Sequence, residues 1–168
     1  IKVSDVVGTE TRQEQEMRKE DIYILSDKEI EKLLNHLPNP QSRNSLLLRL
    51  MLNTGIRRTE ATSIRMDDVY TEDRSIVVEN AKINKPKTRT VYYSQSLQLP
   101  LRDWIENKRE AICQPEHDFL FSTKRGEKMR DGLVSDIVRE ASLDAGINEV
   151  LYVDENGNKR YKISSHSL

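Results

Sequence analysis

The sequence predicts an α+β domain in which helices dominate and small antiparallel hairpins lie at the periphery. Three observations carry that prediction. Apolar residues recur at helical spacing between clear start and stop signals, two Val- and Tyr-rich runs flank a basic turn, and an Asn-Gly pair separates two strand-like runs near Leu168.

Ile1–Glu20 is polar and lacks a sustained apolar period, and it reads as a linker or a frayed helix end. Ser26-Asp27-Lys28-Glu29 is a capping box, and Ile30, Leu33, Leu34 and Leu37 follow on one helical face. Pro38-Asn39-Pro40 stops that helix. A second helix is expected from Ser42 to Asn53. Its run Leu46, Leu47, Leu48, Leu50, Met51, Leu52 is apolar nearly all round, which marks a buried central helix, and Gly55 closes it as a C-cap. A third helix is expected over Arg58–Arg65, with Ala61 and Ile64 inward.

Ser75–Glu79 and Arg89–Tyr93 read as strands around the basic segment Lys82–Lys87. A helix over Leu97–Ile112 follows, with Pro100 expected in its first turn, where the ring is tolerated. Phe119-Leu120-Phe121 is a short buried stretch, and Leu133–Ala145 is a helix ending at Gly146. Asn156-Gly157 joins Val150–Val153 to Lys159–Ile163 as a hairpin.

At 168 residues, with the 36% of hydrophobic residues clustered rather than scattered, the chain suits one domain with its own core. Aromatics are 5%, so that core should be mainly aliphatic. No apolar run approaches the roughly 20 residues that span a bilayer, and Ile1–Glu20 lacks the apolar stretch of a signal peptide. Cys113 is the single cysteine, so an internal disulfide is excluded. No spacing of His, Cys, Asp and Glu suggests a metal site, and no cofactor is expected. The expectation is a cytoplasmic protein that does not engage a membrane.

A net charge of −1 argues against a generic polyanion binder, but the distribution matters more than the sum. Basic residues gather in three clusters: Lys82, Lys85, Lys87 and Arg89; Lys124, Arg125, Lys128 and Arg130; Lys159, Arg160 and Lys162. Taken singly, each is an ordinary solvated run. Three of them beside predicted turns suit a surface that follows a phosphate backbone.

The sharpest local signal is Asn53-Thr54-Gly55-Ile56-Arg57-Arg58-Thr59-Glu60. A buried helix ends at glycine, an arginine follows at once and a new helix begins. One reading is a plain helical corner with solvated arginines. The other is a guanidinium held at the mouth of the core and braced by Glu60, suited to phosphate because its planar fork donates two hydrogen bonds and stays charged.

The second reading gains weight from a resemblance. Thr54-Gly55-Ile56-Arg57, then Glu60, Ile64-Arg65 and Asp68-Val69, resembles the first catalytic box of the tyrosine recombinases, the family of phage integrases and Xer-type or archaeal recombinases. A hairpin with lysines in its turn follows, as in that family. Asp118-Phe119-Leu120-Phe121-Ser122 through Gly146-Ile147 resembles the family's Leu-Phe stretch, helix and Ala-Gly-Ile end. His166-Ser167-Leu168 resembles the opening of its second box, His-x-Leu-Arg-His. The likeness runs from about Ser26 to Leu168.

The resemblance implies a recombinase catalytic-domain fold over residues 21–168, preceded in residues 1–20 by a linker from a core-binding domain. It implies cleavage of double-stranded DNA by a tyrosine, giving a 3′-phosphotyrosine and a free 5′-hydroxyl without a metal. Fixed cations must then stabilise the charge at phosphorus. Arg57 matches the family's first arginine, supported by Glu60. A hairpin lysine would protonate the leaving 5′-oxygen, with Lys82 favoured by alignment and Lys85 left open by the longer turn. His166 matches the second-box histidine, which contacts the phosphate or assists proton transfer. Lys87, Arg89, Lys124, Arg125, Lys128 and Arg130 are expected to contact DNA.

Each residue has a plainer reading: Lys82 and Lys85 as phosphate contacts, His166 as a surface histidine, Glu60 as a helix-surface carboxylate. Tyr92 and Tyr93 sit where the family has no nucleophile and read as strand packing; Cys113 reads as structural. The family's remaining second-box residues and its nucleophilic tyrosine would fall after Leu168. This chain alone is therefore expected to be catalytically inactive and monomeric, whereas the parent would assemble as a tetramer on DNA. Two alternatives remain: a non-catalytic DNA-binding regulator on the same scaffold, and a helical protein-interaction domain with no DNA role. A type IB topoisomerase shares the chemistry, but the short hairpin-linked boxes look more like an integrase.

Overall fold

In the computed structural model, residues 22–37, 42–80, 87–112 and 117–168 are described. The expected linker Ile1–Glu20, the Pro38-Asn39-Pro40 stop, Lys82, Lys85 and Cys113 lie outside them.

The fold is arranged around one apolar helix. Helix α1 (Asp27–His36) opens with its cap closed from the glutamate side: Glu29 Oε2 accepts from the Ser26 N–H at 2.9 Å and the Ser26 hydroxyl at 2.8 Å. Helix α2 (Arg43–Thr54) starts at Ser42, whose hydroxyl accepts from the Ser45 N–H. Leu46, Leu47, Leu48, Leu50 and Met51 are all buried, so α2 is covered on most of its surface, while Leu52 is half-buried. Gly55 adopts φ 67° and donates to the Met51 carbonyl, which turns the chain out of α2.

Helix α3 is shorter than the apolar spacing suggests, covering Arg58–Ala61 only. The hydroxyls of Thr62 and Ser63 both donate to the Thr59 carbonyl, offering the backbone an alternative to helix. Ala61 and Ile64 are buried as predicted. A 3₁₀ turn (Met66–Asp68) leads to β1 (Val69–Tyr70), a short strand that no sequence signal announced. It pairs antiparallel with β2 (Ser75–Asn80), which pairs antiparallel with β3 (Lys87–Tyr92), giving the order β1-β2-β3. Asn80 stands opposite Lys87 at the far end of that ladder. Tyr92 and Tyr93 separate: Tyr93 is buried, but strand alternation turns Tyr92 outward at 70% exposure, so only Tyr93 packs.

Helix α4 (Gln95–Asp103) begins two residues earlier than Leu97, because Asn53 at the end of α2 docks on Ser94. Its Oδ1 accepts from the Ser94 N–H at 2.8 Å and its amide donates to the Ser94 hydroxyl at 3.1 Å. Pro100 therefore lies inside the helix rather than in its first turn. The helix continues through one π turn (Trp104–Lys108) into α5 (Arg109–Ile112). The buried Trp104 indole donates to the Leu120 carbonyl at 2.9 Å. Leu120 and Phe121 are core residues, whereas Phe119 is half-buried with the Arg65 guanidinium 5.0 Å from its ring centre.

Helix α6 (Asp131–Asp144) packs on α1 and α3 and ends at Gly146, φ 67°. The Asn-Gly hairpin forms as predicted, with β4 (Val150–Val153) against β5 (Lys159–Tyr161). The Asp154 carboxylate accepts from the N–H groups of Asn156 and Asn158, and these bonds hold it below the ordinary carboxylate range. The core is one aliphatic cluster with Trp104, Phe121 and Tyr93 as its aromatic members. Among the described residues no helix is long and apolar enough to cross a membrane.

Candidate active site

The turn out of α2 determines where the first arginine goes. Gly55 reverses the chain, Ile56 drops into the core, and Arg57 becomes the residue before α3 with its side chain exposed. Two clefts meet there. One, of about 430 Å³, has Gly55, Arg57, Arg58, Ser165 and His166 among its lining residues. The other, of about 470 Å³, is lined by Gly55, Arg57, Glu60, Asn80, Lys87, Thr88 and Arg89. Gly55 and Arg57 belong to both. Arg57 thus stands between the His166 turn and the open end of the β2–β3 ladder.

Glu60 is buried at 2% exposure and fully engaged. Its Oε2 accepts from the Arg57 backbone N–H at 2.8 Å and from Arg89 Nη2 at 2.9 Å, with Arg89 Nε 3.4 Å from Oε1. Burial pushes the carboxyl up, but the hydrogen bonds from Arg89 and the Arg57 N–H, with both guanidinium charges, outweigh it, so the pKa lies below the ordinary value. Glu60 therefore braces Arg57 through the backbone while its charge is paired with Arg89. Arg89, grouped by sequence with the DNA contacts, faces inward to Glu60 and keeps 49% of its side chain exposed.

His166 is exposed at the cleft rim, in a turn where its N–H donates to the Ser164 hydroxyl and the Ser167 N–H donates to the Ser164 carbonyl. Leu25 donates its N–H to the Ser167 carbonyl at 3.3 Å, and Lys162 lies 4.2 Å from the Tyr23 ring centre, so residues 22–25 run beside this turn. Lys87 lines the second cleft and is exposed.

Lys124, Arg125 and Lys128 are exposed on a separate tight turn, and Arg130, also exposed, follows it as the residue before α6. Its base is the Ser122–Lys128 bridge, and Gly126, φ 78°, donates to the Thr123 carbonyl. Among the described residues, no cluster of His, Cys, Asp or Glu is placed to hold a metal ion.

The sequence reading missed Arg58, Ser165, Asn80 and Thr88 as cleft residues. Arg58 donates to Ser135 and Ser165, which lie 77 and 107 positions away, and no local pattern reveals a contact at that distance. It also missed His117, whose ring lies between Arg109 and Ser122. Burial, together with the Arg109 charge, pushes that imidazole below its ordinary pKa.

A family model described as the phage integrase family matches residues 24–168. Tyrosine recombinase XerA of Saccharolobus solfataricus is 29% identical over 154 residues, covering 87% of this chain and 52% of that protein. The chain thus spans about half the length of this curated relative. The fold is also that of solved recombinases. A XerA recombinase crystal structure superposes with TM-score 0.66 at 19% identity, over 86% of this chain and 46% of the other. XerH site-specific recombinase bound to its palindromic difH substrate gives 0.62 at 19% identity, over 88% and 40%.

Proposed function

Since the chain belongs to the phage integrase family, we propose that it is the catalytic domain of a site-specific DNA recombinase that cuts and rejoins double-stranded DNA through a 3′-phosphotyrosine. The observation that carries this reading is the position of Arg57 in both clefts, between His166 and the ladder end at Asn80 and Lys87. In sequence Lys82 is two positions after Asn80 and Lys85 two before Lys87, so both candidate general acids are within two positions of a cleft-lining residue.

In this mechanism a tyrosine hydroxyl gives up its proton to a neighbouring base or to solvent, its oxygen attacks phosphorus, and the 5′-oxygen departs with its bonding electrons, taking a proton from Lys82 or Lys85. Arg57 donates to the nonbridging oxygens, where negative charge grows, and His166 hydrogen-bonds the same phosphate or assists the proton transfer. Glu60 positions Arg57. Lys87, the exposed turn bearing Lys124, Arg125 and Lys128, and Arg130 just after it hold flanking phosphates, and Arg89 adds charge while paired with Glu60. Residues 21–168 form this catalytic unit and residues 1–20 lead into it. The partner is duplex DNA, on which the full-length protein assembles as a tetramer; the cytoplasm is where that substrate would be met.

The test is a nicked suicide duplex incubated with the full-length protein. A covalent protein–DNA adduct is expected, with its rate falling about 100- to 1,000-fold in Arg57→Ala. DNA binding without any adduct, insensitive to Arg57→Ala, would instead establish a non-catalytic DNA-binding regulator.

A further inference from the structure

Arg57 and Arg58 are neighbours in sequence with different surroundings. Arg57 is exposed in the clefts, whereas Arg58 is half-buried with one nitrogen committed to two hydroxyls. Its Nη1 donates to Ser135 Oγ at 2.7 Å and to Ser165 Oγ at 3.3 Å, and those two oxygens are 3.3 Å apart. Ser135 belongs to α6, while Ser165 is 7% exposed and directly precedes His166. One guanidinium therefore joins three pieces of chain: the start of α3 that carries Arg57, helix α6, and the turn that carries His166.

A lone serine hydroxyl rotates freely and orients its neighbours weakly. A guanidinium is planar, keeps its charge and holds its donors in a fixed fork, so its partners are fixed relative to one another. Arg58 also lines the same cleft as Arg57 and His166. A tether serving stability alone could lie anywhere on α6; this one ends on the residue preceding the histidine.

We propose that Arg58 is a positioning residue that sets His166 against the phosphate held by Arg57, acting through Ser165 and anchored by Ser135. This inference rests on the recombinase reading above. Displacing a reacting group by about 1 Å can cost about 100-fold in rate, which gives the scale of the effect.

The experiment measures single-turnover cleavage of a nicked suicide duplex, and DNA affinity, in the full-length protein. The variants are Arg58→Ala, Arg58→Lys and Ser165→Ala, each alone and combined with His166→Ala. Arg58→Ala is expected to slow cleavage about 10- to 100-fold, with Kd changed by less than about threefold. Lysine, which can still donate to both hydroxyls, should restore part of the rate. In the His166→Ala background, adding Arg58→Ala should change the rate by less than about twofold, because a residue acting through His166 has nothing left to position.

Independent, multiplicative losses from the two substitutions would overturn the proposal, as would a loss of DNA affinity in proportion to rate. If Arg58→Ala does not fold, Ser165→Ala decides: a smaller loss of rate that vanishes in the His166→Ala background supports the role, and an unchanged rate refutes it. Failure of the recombinase reading looks different, since Arg57→Ala would then leave cleavage unchanged or the unsubstituted protein would form no adduct.

Discussion

Glu60 and Arg89 meet at 2.9 Å, with the carboxylate buried and the guanidinium half-exposed at the cleft wall. The same carboxylate oxygen holds the Arg57 backbone N–H, so one buried charge joins the α2–α3 corner to strand β3. Glutamine there removes the charge that Arg89 pairs with and leaves one acceptor oxygen to serve both donors. Glu60→Gln should destabilise the protein by about 1–3 kcal/mol, the range for leaving a hydrogen-bonding group without its partner, toward the lower end because solvent screens Arg89. The pH dependence has a definite sign. The folded pKa is below the ordinary 4.5, so the unfolded chain takes up its proton first, and stability present above about 4.5 drains away as pH falls through the folded value. Denaturant melts between neutral pH and pH 3 should show a shallower acid loss in Glu60→Gln; an identical acid limb would contradict this account.

Gly55→Ala tests the corner itself. An added Cβ would meet nothing within 4 Å, so the cost is conformational and comes from φ 67°. Chemical denaturation should show a loss of about 1–2 kcal/mol. A neutral substitution would mean that the corner relaxes without using the left-handed conformation.

Lys82 and Lys85 are separable by the chemistry of the leaving group. A substrate with sulfur in place of the bridging 5′-oxygen releases a thiolate that needs no proton. Alanine at the general-acid position should cleave ordinary DNA slowly and the sulfur substrate at close to the unsubstituted rate. Alanine at the other lysine should affect both substrates alike. If neither variant is rescued by sulfur, neither lysine is the acid.

For the exposed basic turn, Lys124→Ala and Arg125→Ala should weaken DNA binding evenly across sequences. Each should lower the slope of log affinity against log salt by about 1, with the melting temperature unchanged. An unaltered slope would remove this turn from the DNA interface.

Tyr93 is the remaining oddity of the core. Its phenol oxygen is buried with no hydrogen-bond partner among the described residues, and burial pushes its pKa above the ordinary value. Removing an unpaired polar atom should relieve a desolvation penalty. Tyr93→Phe is therefore expected to be neutral or stabilising by up to about 1 kcal/mol; a clear loss would show that the hydroxyl has a partner.

The parts legible in the sequence were those decided locally. Ser26 and Glu29, the leucine run of α2, Gly55 and Asn156-Gly157 each act within a few residues, and each formed the expected element. The errors arose where distant contacts overrode local preference. Ser94 is docked by Asn53 across 41 positions, which moves the start of α4 and leaves Pro100 inside it. Thr59 draws two hydroxyls onto its carbonyl and ends α3 early. The contact between Arg57 and Glu60 lies within a four-residue corner, so local spacing is enough to suggest it. The pairing of Arg89 with Glu60 spans a strand ladder, and the Arg58 cluster spans most of the chain, so neither leaves a spacing signal.

The π turn at Trp104–Lys108 gives the helix a phase as well as a direction. A π turn is the form a one-residue insertion takes within an α-helix, and each residue of α-helix advances the azimuth by about 100°. Ahead of the turn, Leu97 and Leu101 face the core; beyond it, Arg109 faces the chain at 117–119, donating to the carbonyls of His117 and Phe119. Deleting one residue within the turn would restore an unbroken α-helix and swing Arg109 away from those carbonyls. The extra residue therefore acts as a clutch between the two halves of the helix, letting each keep its own angular alignment.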